Sequence, residues 1–413
     1  MKQLIMNIVH VIHKVRPVQV GSERQGLRWW SSWQGVAGSG RAMWALLLGL
    51  LWMQMSTLHA QAQTVEWVKT AVGNGFDESY AIAVDDSGNN YIAGSFQDSA
   101  TFGSTTLTSA GEADLFVAKY DTQGNVVWAQ SAGGNGHDSA IDIAVDGSGN
   151  SYITGNFEGT IDFGTVTLNS MGSHNIFIAK YDSNGNFLWA QQISGDGELG
   201  VGRAIDVESG GDIYITGHYV GTATFGSFTM RAHNISVYIA KYDTNGNFVW
   251  VKKAGGSGRA EAEAVAYQGG QVYVTGGFQG RIDIGSDASM VSPTSEAAYI
   301  LTFASNGTLQ WLRNVGGNGA ARGTDIAVDS SGNSYVTGTF EREAHMGNRV
   351  LTSAGGADIF IAKYDSAGNA VWAEGAGGGG VDDSRGISLD DDGNVYIPDY
   401  LNHVVRKLTR RQG

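Results

Sequence analysis

Six tryptophans, Trp67, Trp128, Trp189, Trp250, Trp311 and Trp372, follow one another at intervals of 61 residues. A period held that strictly over six copies marks a repeat architecture. A chain of 413 residues, otherwise long enough for two or three domains, therefore reads as one repetitive unit. The other five tryptophans all precede residue 53 and stand outside the register.

Residues 139–192 serve as a representative copy. AIDIAVD runs into GSGN, then SYITGNF, a longer EGTIDFGTVTLNSMGSHN segment, IFIAKYD, SNGN and FLWAQQ. The apolar stretches are short and rich in Ile, Val, Tyr, Phe and Thr, which suits strands and leaves no room for helices. Asp-x-Ser-Gly-Asn and Asp-x-Asn-Gly-Asn are tight hairpin turns, because Gly and Asn tolerate the positive φ that such turns require. Each repeat is thus expected to be a four-stranded antiparallel unit, with a small extra hairpin between its second and third strands. The 61 glycines, with only three prolines and no strict triplet spacing, follow from the turns and exclude collagen.

One such sheet cannot bury both faces, whereas several packed around an axis can, so the fold class is all-β and the architecture a β-propeller. First-strand motifs begin near Tyr80, Ile141, Arg203, Glu263, Thr324 and Arg385. They give six blades, near 80–130, 141–191, 203–252, 263–313, 324–374 and 385–409, the last completed by 64–71. The N-terminal strand, Val65 to Ala71, would supply the missing fourth strand and close the ring. A truncated ring of seven or eight blades is the competing expectation.

Residues 1–62 read as a leader and signal peptide, with an apolar run from Met43 to Met53 behind Arg41 and a small-residue site ending at Ala62. The run is short for a membrane span, and an uncleaved anchor is the alternative. The single propeller domain is placed at 63–413. The leader holds six of the 26 basic residues and one of the 40 acidic ones, so the mature chain carries 20 and 39, a net charge of −19. That surface repels phosphate backbones and argues against nucleic-acid partners. Zero cysteines exclude disulfides, thiol nucleophiles and thiolate metal sites. A signal with no cysteine points to a secreted, extracellular or bacterial cell-envelope protein that is stable without oxidative folding and has no membrane span after cleavage.

The strongest copies, IAVDGSGNSYITGNF with NIFIAKYDSNGNFLW and IAVDSSGNSYVTGTF with DIFIAKYDSAGNAVW, resemble the bacterial secreted β-propeller (SBBP) repeat family. The final copy, LDDDGNVYIPDYLNHVVRKL, is similar to an NHL repeat. The resemblance spans residues 64–409 and implies the fold. It implies no particular activity, since propellers of this kind range from scaffolds to lyases and hydrolases. The fourth copy departs from the pattern, with AVAYQGGQVYVTG and ILTFASNGTLQW.

Few motifs carry chemistry. The Asp-rich turn at Asp390-Asp391-Asp392-Gly393-Asn394 lacks the further oxygen ligands of a calcium loop and is expected to be turn chemistry. Gly195 to Gly200 matches G-x-G-x-x-G but precedes no helix. Lys119, Lys180, Lys241 and Lys363 recur identically, which suits blade structure. No catalytic triad order or metal-binding histidine spacing stands out, so no metal, cofactor or catalytic residue is assigned.

The copies differ at the links between blades and at the start of the innermost strand. A scaffold held by packing carries specificity on its variable loops, so the mouth of the central channel is the candidate site. Its candidate ligand-binding residues are Tyr80, Asp142, Arg203, Glu263, Asp325 and Arg385. His137, Asp138, Arg259, Glu261, Arg322, Asp382 and Asp383 could join them, and a solvated polar rim without a ligand is the alternative. The expected function is a monomeric binding or scaffold module for a protein or glycan. The competing function is an extracellular lyase or glycan hydrolase, with Asp142 and Asp325 as acid and base and Arg203 or Arg385 holding an anionic substrate.

Overall fold

The computed structural model describes residues 67–170, 174–195 and 199–409. The expected leader and signal, and residues 63–66, lie outside the described residues. The chain divides into two units, and the one that holds all the sheets described below begins again at Thr70. Of the other, Val18–Lys69, only Trp67–Lys69 are described, and they hold no strand.

The described residues form strands and turns without a helix. The first four-stranded group is Glu78–Val84, Asn90–Phe96, Asp114–Tyr120 and Val126–Ala132, each antiparallel to the next. The second is Asp138–Val145, Ser151–Phe157, Asn175–Tyr181 and Phe187–Ser194. Leu199–Val207, Ile213–Phe225, Phe228–Tyr242 and Phe248–Gly255 make the third, and Arg259–Gln268, Gln271–Ile284, Ala288–Ala304 and Leu309–Val315 the fourth. The fifth is Ala321–Val328, Ser334–Phe340, Asp358–Tyr364 and Ala370–Ala376. A last group has three strands, Ser388–Leu389, Val395–Asp399 and Val404–Leu408.

Turn chemistry explains the regularity. In the first hairpin Asp85 Oδ1 accepts the backbone N–H groups of Ser87 (3.0 Å) and Asn89 (2.9 Å), Oδ2 accepts Asn89 Nδ2, and Gly88 takes φ +81°. Asp390 uses its oxygens in the same way, on Asp392 N, Asn394 N, Asn394 Nδ2 and Tyr396 OH. These carboxylates are occupied by the hairpin itself. In the fourth copy the turn shortens to Gly269-Gly270, both at positive φ, which is the two-residue hairpin geometry that needs no Asp.

Aromatic side chains fill the seams between neighbouring sheets. Trp128 Nε1 donates to Ser183 O of the next sheet (3.2 Å), and Trp189, Trp250 and Trp311 repeat the bond to Thr244, Ser305 and Ser366. Trp128 also stacks on Tyr181 with centroids 6.5 Å apart. Gly185 lies against the indole so closely that a Cβ would come within 2.6 Å of it, so only glycine fits there. Lys119 and Lys180 lie over the rings of Tyr91 and Tyr152 and reach carbonyls of the following sheet.

A backbone link accompanies these contacts. The extra hairpin between second and third strands reaches back to the outer strand of the preceding sheet, pairing Gly133 with Asp162, Ser194 with Thr224, Gly255 with Asp283 and Gly316 with His345. The hairpin of the first sheet, Ser99–Phe102 with Thr105–Thr108, pairs instead with Val72–Gly73, Val72 facing Thr101 and Gly73 facing Ala100. The expected strand from Val65 to Ala71 is not formed over Trp67–Ala71. Among the described residues Val404–Leu408 pairs only with Val395–Asp399.

Candidate functional site

The first strands of the six groups border one cavity of about 610 Å³. Tyr80, Asp142, Arg203, Glu263, Asp325 and Arg385 all line it. They do not share one environment.

Asp142 and Asp325 face neighbouring backbone. Asp142 Oδ2 accepts the N–H of Ile205 at 2.8 Å, and Asp325 Oδ2 accepts that of Ile387 at 2.7 Å, each across a seam. Asp206, two residues farther along its strand, does the same for Tyr267 at 2.7 Å. Each carboxylate thus satisfies an N–H on or beside a first strand, which is laddered on one side only. The two residues expected to act as acid and base are therefore joined to the scaffold.

The opposite arrangement holds at the mouth. Glu263 lies between two arginines of adjacent sheets: Arg203 reaches Oε2 at 2.7 Å through Nε and 2.6 Å through Nη2, and Arg322 reaches Oε1 through Nε (3.1 Å) and Nη2. Arg322 also bonds Glu261 Oε2 at 2.6 Å and Glu296 Oε1 at 3.0 Å, and Arg259 pairs with Glu261. Burial alone would raise the Glu261 carboxyl, but the hydrogen bonds from Arg259 and Arg322 outweigh it and hold it at about 2. Arg322 is likewise opposed by burial and driven upward by Glu263 and Glu261.

His218 stands beside this network on the second strand of the third sheet. Its burial pushes the imidazole down to about 4, helped by Arg203 and Arg322 against the pull of Glu261 and Glu263. The ring is neutral at ordinary pH, and its Nδ1 has no hydrogen-bond partner. The far side of the mouth is simpler. Arg385 pairs with Asp383 (2.9 Å) and lies 5.0 Å from the Tyr400 ring, and Tyr80 OH donates to Glu78 at 2.7 Å. Burial raises the Tyr80 phenol above its usual value, so it stays a donor.

Sequence reasoning did not single out Asp206, His218 or Glu296. His218 occupies the position held by Ser95, Asn156, Gly277 and Thr339 in other copies, so its singularity was available from alignment of the repeats. Among the described residues no group of three or more His, Asp or Glu gathers as a metal site, and no helix is long and apolar enough to cross a membrane.

Residues 310–339 match the beta-propeller repeat called SBBP. An uncharacterized WD repeat-containing protein of Acanthamoeba polyphaga mimivirus is 24% identical over 385 residues, covering 75% of this chain; the chain spans only 28% of that protein. Both likenesses support a β-propeller repeat family. Two solved structures are similar at lower identity. The extracellular domain of a putative one component system from B. thetaiotaomicron is 12% identical, with 81% of this chain and 38% of that chain covered and a TM-score of 0.37. A gluconolactonase from Xanthomonas campestris is 13% identical, with 80% and 95% covered and a TM-score of 0.33.

Proposed function

We propose that this β-propeller repeat protein is a six-bladed closed ring that binds a protein or glycan ligand at the mouth of its central cavity. Repeats of this kind make binding and scaffold modules in general; the ligand site is the specific part of the reading. The observation that carries it is the sorting of polar residues within one cavity. Asp142 and Asp325 are tied to neighbouring backbone. Arg203, Glu263 and Arg322 are held against one another at the rim, where Arg203 remains 43% exposed. A prearranged set of charges fixes orientation at little further entropic cost, which suits recognition. The occupation of Asp142 and Asp325 favours binding over hydrolase or lyase chemistry by that pair.

Ring closure is supported by register. Trp128 precedes Gly133 by the same five residues that separate Trp67 from Val72, and Gly133 faces Asp162 as Val72 faces Thr101, one repeat earlier. Val72–Gly73 thus stands where the outer strand of a preceding sheet would stand, and the three-stranded last group is the sheet that lacks one. The final repeat is NHL-like, and the protein acts as a monomer outside the cell or in a bacterial envelope once residues 1–62 are removed.

The experiment is a glycan and surface-protein array with the wild type and with Arg203→Ala and Arg385→Ala. Binding by the wild type that both substitutions abolish is the expected result; undiminished binding by the variants moves the site away from the mouth.

A further inference from the structure

Two seams carry the same pair of buried acids. Asp114 and Asp358 open third strands, and Asp138 and Asp382 stand where the next sheet begins; none is more than 4% exposed. The intervening seams have Asn175, Ser236 and Ala297 in place of the first acid and Gly200, Ala260 and Ala321 in place of the second. Local bonding at the two acidic seams is alike. Gly134 N–H donates to Asp138 Oδ2 (2.8 Å) and Gly378 N–H to Asp382 Oδ2 (3.0 Å). The backbone N–H groups of Asp138 and Asp382 donate to Ala113 O and Ala357 O of the preceding sheet.

The second oxygen separates them. Asp382 Oδ1 accepts Asn402 Nδ2 at 2.5 Å and lies 3.6 Å from the Arg406 guanidinium. Asp138 is fully buried, and its Oδ1 has no hydrogen-bond partner. The charges that face it are acidic: Asp114 from the first sheet and Glu158 just beyond the second strand of its own sheet. Around them His137 pairs with Glu112 at 2.9 Å and His174 with Glu158 at 2.6 Å. A buried carboxylate without a counter-cation sheds its charge rather than bearing it. Burial, reinforced by Asp114 and Glu158, pushes the Asp138 carboxyl up to about 7 against the backbone bonds from Gly134 and Glu158.

We infer that the seam between the first and second sheets is a proton-dependent latch, closed while the Asp138 carboxyl is protonated and loosened when the proton leaves. Asp138 begins the strand that carries Ile141 and Asp142 into the cavity wall, so loosening here moves one side of the mouth. In an opened seam the carboxyl returns to its ordinary range near 4. Between that value and about 7 the closed form holds a proton that the open form lacks, so opening grows about tenfold for each pH unit and levels off above the window. Asp382, whose Oδ1 is taken by Asn402 and faces Arg406, supplies an internal control.

Hydrogen exchange of the full chain at pH 5 and pH 7, corrected for the intrinsic pH dependence of exchange, reads the latch directly. Amides of residues 133–138 are expected to lose about fiftyfold of protection over those two units, while residues 377–382 stay unchanged. Asp138→Asn, a neutral stand-in for the protonated acid, is expected to keep the seam closed at both values. Equal wild-type protection at the two pH values, or an Asp138→Asn variant with the wild-type response, overturns the latch. If the variant does not fold, the carboxyl carbon shift of Asp138 in the wild type decides: a protonated signal at pH 6 supports the inference and an ionised one overturns it. Calcium that restores full protection at pH 7 also overturns it, since the seam is then a cation site.

Discussion

Asp325 and Ile387 meet across a boundary between sheets, the carboxylate of one accepting the backbone N–H of the other at 2.7 Å. The bond is buried, and Ile387 is only 3% exposed. Replacing Asp325 with Ala strands that N–H and is expected to cost about 1–3 kcal/mol, read as a lower urea midpoint at unchanged slope. Asp142→Ala is expected to act alike through Ile205. An unaltered midpoint for both would mean that the carboxylates do not bear on the seams.

Trp311 is 9% exposed, donates to Ser366 O at 3.1 Å and stacks on Tyr364. Trp311→Ala is expected to cost about 3–5 kcal/mol, and Trp311→Phe, which keeps most of the area and loses the N–H, about 1 kcal/mol. Guanidinium unfolding followed by circular dichroism separates the two.

His218 predicts an acid-sensitive arm of the stability curve. Its imidazole is depressed to about 4 in the folded chain from an ordinary value near 6.5, so the stability it contributes is complete above 6.5 and is lost as pH falls toward 4. His218→Gln is expected to remove that arm, worth on the order of 1–3 kcal/mol, and to expose the opposite slope from Asp138. Melting curves from pH 4 to 7 on both proteins make the comparison.

Closure is tested by deleting residues 64–73. Loss of the Val72–Gly73 contact with the first hairpin, and of the strand proposed to complete the last sheet, is expected to lower the melting temperature by several degrees, since about 1 kcal/mol shifts Tm by a few degrees in a chain of this size. A melting curve identical to the wild type would leave the ring open.

What could be read from the sequence was whatever the chain decides locally. Asp85, Gly88 and Asn89 specify a hairpin from within five residues, and the Trp period places each copy in register. The choice of Tyr80, Arg203 and Arg385 rested on comparing the copies with one another at the start of the innermost strand. The destinations of their charges did not. Asp142 and Asp325 look like a free acid and base in a list of lining residues, because sequence does not say that the next sheet presents Ile205 and Ile387 N–H groups there. Glu296 and His218 join the mouth only through long strands in the third and fourth sheets, where extended hairpins bring distant positions together. The backward reach of those hairpins, pairing Ser194 with Thr224 and Gly255 with Asp283, likewise depends on neighbouring copies and has no signature within one repeat.

Those backward-reaching hairpins make the joints among the first five sheets redundant. A seam is held by an indole bond, a lysine over a tyrosine, and a short backbone pairing, so no single copy must retain every fastening. The fourth copy has given up the Lys-Tyr-Asp triplet, yet Trp311 still bonds Ser366 and Gly316 still pairs with His345 of the fifth sheet. With its position secured by other means, that copy is free to present Glu261, Glu263 and Glu296 together at the rim. Surplus attachment is thus a source of variability, because a repeat that can lose one fastening without leaving its place can change what it offers to solvent.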